Sequence, residues 1–117
     1  MKRIIIIIDT IENSPPASGF ELISFAEQFA EACSLEIQVI VAGGSIRETA
    51  EKAALYGHNV LGLEHDSLII PNPDFLASTL AGLMNDSEPQ YLCFQHTMRG
   101  CHMAALLSAS LNMSCIT

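Results

Sequence analysis

A chain of 117 residues, half of them hydrophobic, suits one globular domain with a fair core and leaves no room for two. Thirteen acidic residues against five basic ones, a formal charge of −8, argue against nucleic acid as a partner, because phosphate backbones are bound by basic faces. The run Ile4 to Ile8 after Met1-Lys2-Arg3 stops at Asp9, short of the ~7–15 apolar residues of a secretory signal. Pro71, Asp74 and the Glu27/Glu31 pair interrupt each candidate membrane span, so the expected protein is soluble and cytoplasmic.

Ile4 to Ile8 is an unbroken β-branched run without polar alternation, which predicts a central strand buried on both faces. Asp9 ends it, and Thr10 to Gly19, with Pro15 and Pro16, reads as a loop at its carboxyl end. From Ser18 the spacing turns helical. Leu22, Phe25, Ala26, Phe29, Ala30 and Cys33 recur at three and four and are the expected core stripe, with Glu21, Gln28 and Glu31 mainly on the other side.

Leu35 to Ala42 is the next predicted strand and runs into Gly43-Gly44-Ser45. Ser45 and Glu48 form the S-x-x-E of a capping box, so a helix is expected from Ile46, with Gly57 ending it. The two glycines admit a phosphate near the backbone, or serve a tight turn; the segment is neither GxGxxG nor a Walker loop. Asn59 to Glu64 reads as a short strand, and His65-Asp66 to Asn72 as a loop. Asn72 then caps a helix whose first residue is Pro73, with Leu76, Leu80, Leu83 and Met84 on one face, running to about Asp86.

Tyr91 to Gln95 is the fourth predicted strand. The loop Gln95-His96-Thr97-Met98-Arg99-Gly100 leads to a helix from about Gly100 to about Leu111, whose Ala104, Ala105, Ser108 and Ala109 allow close approach to a neighbour. Met113 to Ile116 reads as a fifth strand. Strands alternating with helices imply parallel βαβ units in an α/β protein: a three-layer α/β/α sandwich with a mainly parallel sheet.

Little of the usual catalytic chemistry is present. No G-x-S-x-G elbow supports a hydrolase triad, and Asp9, Glu64, Asp66 and Asp74 belong to different loops, where solvated ends are expected. His58 and His65 read as surface or turn histidines. The cysteines at 33, 93, 101 and 115 show no CxxC spacing and are expected to be free thiols. Cys93, His96, Cys101 and His102 lie close in sequence, but not at the spacing of a known zinc module, so no metal is assigned. Arg99-Gly100 is different, because a helix start and a guanidinium together suit an anion. A phosphate, a partner's carboxylate or an acidic group of the same domain would each satisfy it, and Thr97 adds a hydroxyl.

Read in order, Phe25-Ala26-Glu27-Gln28-Phe29-Ala30, Val39-Ile40-Val41-Ala42-Gly43, Ala53-Ala54-Leu55-Tyr56-Gly57 and then Asn59-Val60-Leu61 resemble the N-terminal domain of the α subunit of electron transfer flavoprotein. Thr97-Met98-Arg99-Gly100, followed by Met103 to Leu111, looks like that family's Ser/Thr-x-Arg-Gly loop and helix, and the match runs from about Ile4 to Thr117. The resemblance implies an adenine-nucleotide-hydrolase-like, Rossmann-like topology. It also implies a scaffold that pairs with a β subunit in an electron carrier between dehydrogenases and an acceptor, with FAD held mainly by a C-terminal domain absent from these residues. On that view no residue is catalytic, and Gly43, Gly44, Ser45, Thr97, Arg99 and Gly100 are the cofactor-binding candidates. The alternative is a stand-alone adenine-nucleotide-binding module, with AMP as ligand, in which those two glycine-containing loops form one phosphate site.

Overall fold

The computed structural model describes residues 3–10, 17–69, 72–84, 89–95 and 98–111, without the side chains of Ala17, Ser18, Pro73, Met98 and Arg99. Four strands form one parallel sheet in the order β3-β2-β1-β4: β1 (Arg3–Asp9), β2 (Glu36–Gly43), β3 (Asn59–Glu64) and β4 (Tyr91–Phe94). The helices are α1 (Ala17–Cys33), α2 (Arg47–Ala54), α3 (Pro73–Met84) and α4 (Met98–Leu111), and a 3-10 turn, Asp66–Leu68, follows β3.

The isoleucine run occupies an interior strand, as its composition predicts, and each of Ile4 to Ile8 is at most 2% exposed. Alternation divides them between two cores. Ile4, Ile6 and Ile8 meet Ile23, Ala26 and Ala30 of α1 and Ala53 of α2, while Ile5 and Ile7 meet Leu76, Leu80 and Met84 of α3 and Met103 and Leu107 of α4. Two helices therefore cover each face, completing the three-layer sandwich. Burying one such side chain stabilises by roughly 1.5–3 kcal/mol, a large share of a domain's net stability of about 5–15 kcal/mol.

The expected stripe of α1 is corrected by the packing. Phe25 is 58% exposed and Cys33 is exposed; the buried line is Ile23, Ala26 and Ala30. A Cβ at Gly19 would lie only 2.8 Å from Ile8 Cγ2, so α1 approaches β1 closely on the face that carries Gly19, Ile23, Ala26 and Ala30. Phe25 is left on the flank, stacked on Phe29 at 6.4 Å, and Phe29 meets Tyr91 edge-on at 5.1 Å.

The expected capping box does not form. Ile46 occupies the cap position of α2, no side chain caps from that position, and the helix begins one residue later than expected, at Arg47. Its Ile46 N–H instead donates to Glu64 Oε1 at 3.1 Å, so a carboxylate from the end of β3 satisfies the amide at the cap position. That also corrects the expectation of a merely solvated Glu64. Gly57 follows α2 with φ of 87°, the left-handed conformation that favours glycine, and its N–H donates to the Ala54 carbonyl at 3.0 Å.

Asn72 caps α3 as its sequence predicts, accepting the Phe75 N–H on Oδ1 at 3.3 Å. Leu83 is exposed, and Ala77 supplies the buried position beside Leu76, Leu80 and Met84; Asp86 lies outside the described residues. Helix α4 starts two residues earlier than expected. Its core contact is made by Met103 and Leu107, whereas Ala105 and Ala109 face outward and Ala104 and Ser108 are half-buried, so long side chains rather than the small stripe join it to the sheet. The predicted strand Met113 to Ile116 lies outside the described residues.

Candidate functional site

In a parallel sheet all strands end at one edge, and ligands gather where the strand order reverses. The chain leaves β1 for β2 and β3 on one side and returns to β4 on the other, so the reversal falls between β1 and β4. There the side-chain oxygen Oε1 of Gln95 accepts the backbone N–H of Asp9 at 2.9 Å, with Gln95 buried. Thr10 turns the other way and anchors to β2, donating through N and Oγ1 to the Ala42 carbonyl at 3.0 and 3.3 Å. The ends of β1, β2 and β4 are thereby tied together by two polar residues.

The expected site residues reach this edge in two groups. Gly43 closes β2 and Gly44 and Ser45 follow it; Arg99 and Gly100 belong to the first turn of α4, where helices hold anions. Strand β1 stands between β2 and β4, which sets the groups two strand spacings, about 10 Å, apart. His96 and Thr97 lie outside the described residues, and so does the Arg99 side chain.

Packing explains both glycines at the β2 end. A Cβ on Gly43 would collide with Thr10 Oγ1, and one on Gly44 would meet Ile69 Cγ1, Cα and N at 2.5, 2.8 and 3.0 Å. With Glu64 already at the start of α2, this turn is internally filled on those sides, and Ser45 is its exposed member. A carboxylate already stands at the α2 start.

His65, just past β3, and His58, just before it, have structural partners. His65 accepts the Ser67 N–H on Nδ1 at 3.0 Å, capping the 3-10 turn, and its ring lies 4.8 Å from Phe75. His58 hydrogen-bonds through Nε2 to Glu27 Oε2 at 2.8 Å. Cys93 packs half-buried against the Ile4/Ile6 core, and burial pushes its thiol above the ordinary value of 9.0. Cys33, Cys93 and Cys101 are free thiols, and among the described residues no three His, Cys, Asp or Glu side chains gather as metal ligands.

Sequence reasoning missed the connecting roles of Gln95 and Glu64. Gln95 had one signal, a polar residue closing the apolar run Tyr91 to Phe94; Glu64 had none, because the amide it serves is 18 residues away. No helix among the described residues is long and apolar enough to cross a membrane. None of the curated proteins compared matches the sequence. The family model for the electron transfer flavoprotein domain matches residues 4–117, nearly the whole chain. With the reversing parallel sheet and helices on both faces that this fold requires, the chain belongs to the electron transfer flavoprotein domain family.

Proposed function

We infer that the chain acts as the N-terminal domain of an α-type subunit in an electron transfer flavoprotein. In this reading it is a cytoplasmic scaffold that pairs with a β subunit, and the FAD of the assembly carries electrons from dehydrogenases to an acceptor. The observation that carries the reading is the family match over residues 4–117. The α assignment rests on Thr97-Met98-Arg99-Gly100 and the helix after it, which resemble the α-subunit loop and helix.

Bound flavin supplies the chemistry, taking up and releasing one or two electrons. The chain's part is positional. Thr97, Arg99 and Gly100 are assigned to an anion at the first turn of α4, either a nucleotide phosphate or a partner carboxylate. Gly43, Gly44 and Ser45 are assigned to the turn that shapes the neighbouring edge, with Ser45 available for contact. Further FAD contacts come from other parts of the assembly.

Co-expression with a candidate β subunit tests this reading. A co-purifying, yellow complex is the expected result, and a colourless chain that ignores the partner would oppose it. The position of α4 at the strand-order reversal also favours a second reading, a stand-alone adenine-nucleotide-binding module. Calorimetric titration with AMP and ATP separates the two, since heat that Arg99→Ala abolishes in the isolated chain belongs to the second reading alone.

A further inference from the structure

The end of β3 lends the start of α2 a carboxylate. Gly43 and Glu64 are the last paired residues of β2 and β3, and the His65 N–H donates to the Gly43 carbonyl at 3.1 Å, so the Glu64 backbone is fixed beside the β2–α2 turn. From there its Oε1 accepts the Ile46 N–H at 3.1 Å. Where a glycine turn leads into a helix, the first amides of that helix are the groups that hold a phosphate. Here a side chain of the protein holds one of them.

Neither glycine of the turn opens the cradle that a phosphate would need. The space of a Cβ at Gly43 is taken by Thr10, and that at Gly44 by Ile69. Charge works in the same direction. Glu48 adds a second carboxylate in the first turn of α2, and the cations of this helix are paired along it, Arg47 Nε with Glu51 at 3.2 Å and Lys52 Nζ with Glu48 at 3.4 Å. The first turn of α4, by contrast, carries no acidic residue.

We propose that Glu64 is a specificity residue that bars phosphate from the β2–α2 turn, so that Gly43-Gly44-Ser45 and Thr97-Met98-Arg99-Gly100 do not close on one phosphate site. Like charges a few ångströms apart repel strongly where solvent screens them only in part, and this carboxylate is in place before any ligand arrives. Phosphate as the excluded anion follows from the nucleotide-binding readings above; the exclusion itself rests on Glu64 and the filled glycines.

Amide NMR of the isolated chain, titrated with inorganic phosphate against chloride at equal ionic strength, tests the proposal. In the native sequence the Ser45, Ile46 and Arg47 resonances are expected to stay in place up to millimolar phosphate. In Glu64→Ala they are expected to move saturably, with an apparent affinity raised about tenfold or more once the like charge is gone. Glu64→Gln keeps an acceptor for the Ile46 N–H and drops the charge, and it carries the test if circular dichroism shows that Glu64→Ala does not fold. Saturable movement in the native chain, or none in either folded variant, would overturn the proposal. Neither flavin nor a β subunit takes part, so failure here leaves the flavoprotein reading standing.

Discussion

Gln95, one residue past β4, holds the end of β1 by accepting the Asp9 N–H at 2.9 Å, a bond that spans 86 residues of sequence. It joins the two strands between which the order of the sheet reverses. Replacing Gln95 with leucine keeps apolar bulk and removes the acceptor, which is expected to cost about 1–2 kcal/mol. Urea unfolding measures this as a lowered midpoint at unchanged slope. A loss near zero would mean that the bond does not help to fix the strand ends.

Glu64 performs a similar service for α2. Glu64→Ala removes the carboxylate that accepts the Ile46 N–H and is expected to cost about 1 kcal/mol, the usual worth of a helix cap. Glu64→Gln keeps an acceptor and should lose less. Ser45→Ala should be nearly silent, because no side-chain hydrogen bond caps this helix from within its own turn. The order of these three thermal midpoints is the test.

Two glycines respond in opposite directions to alanine. At Gly44 the new Cβ meets the backbone of Ile69, which cannot rotate away, so Gly44→Ala is expected to destabilise by about 1–3 kcal/mol. Gly82 lies inside α3 with nothing within 4 Å of its Cβ position, and Gly82→Ala should stabilise by about 1 kcal/mol. Paired unfolding curves decide both signs.

Burial raises the thiol of Cys93 above the ordinary value of 9.0. Because the folded-state value is the higher one, the stability linked to the neutral thiol is fully present below the unfolded value and is lost as pH rises through the folded value. Stability should therefore fall above about pH 9, less steeply in Cys93→Val. At neutral pH, iodoacetamide followed by mass spectrometry should label the exposed Cys33 well before Cys93.

Much of the fold was legible because local chemistry and tertiary packing agree. A strand of five consecutive isoleucines has to be covered on both faces, Asn72-Pro73 has one good use at a helix start, and Asn59 to Glu64 is bounded as its composition suggests. Legibility ended where packing chose between locally equal options. Phe25 satisfies helical spacing as well as Ile23 does, yet α1 turns toward β1 the face that carries Gly19, Ile23, Ala26 and Ala30. Ser45 and Glu48 satisfy a capping motif, yet a distant carboxylate takes the amide. At the candidate site, the position of Arg99-Gly100 at a helix start could be read from sequence, while the role of Gln95 required knowing that β1 and β4 are neighbours.

We propose this chain as the scaffold of a flavin-carrying heterodimer. Its most direct test is to purify the chain with a candidate β subunit and measure flavin absorbance per complex, for the native sequence and for Arg99→Ala. A stable yellow complex, with flavin reduced in the Arg99→Ala form while association and folding persist, is the predicted result. A folded chain that binds neither the subunit nor flavin would contradict the account.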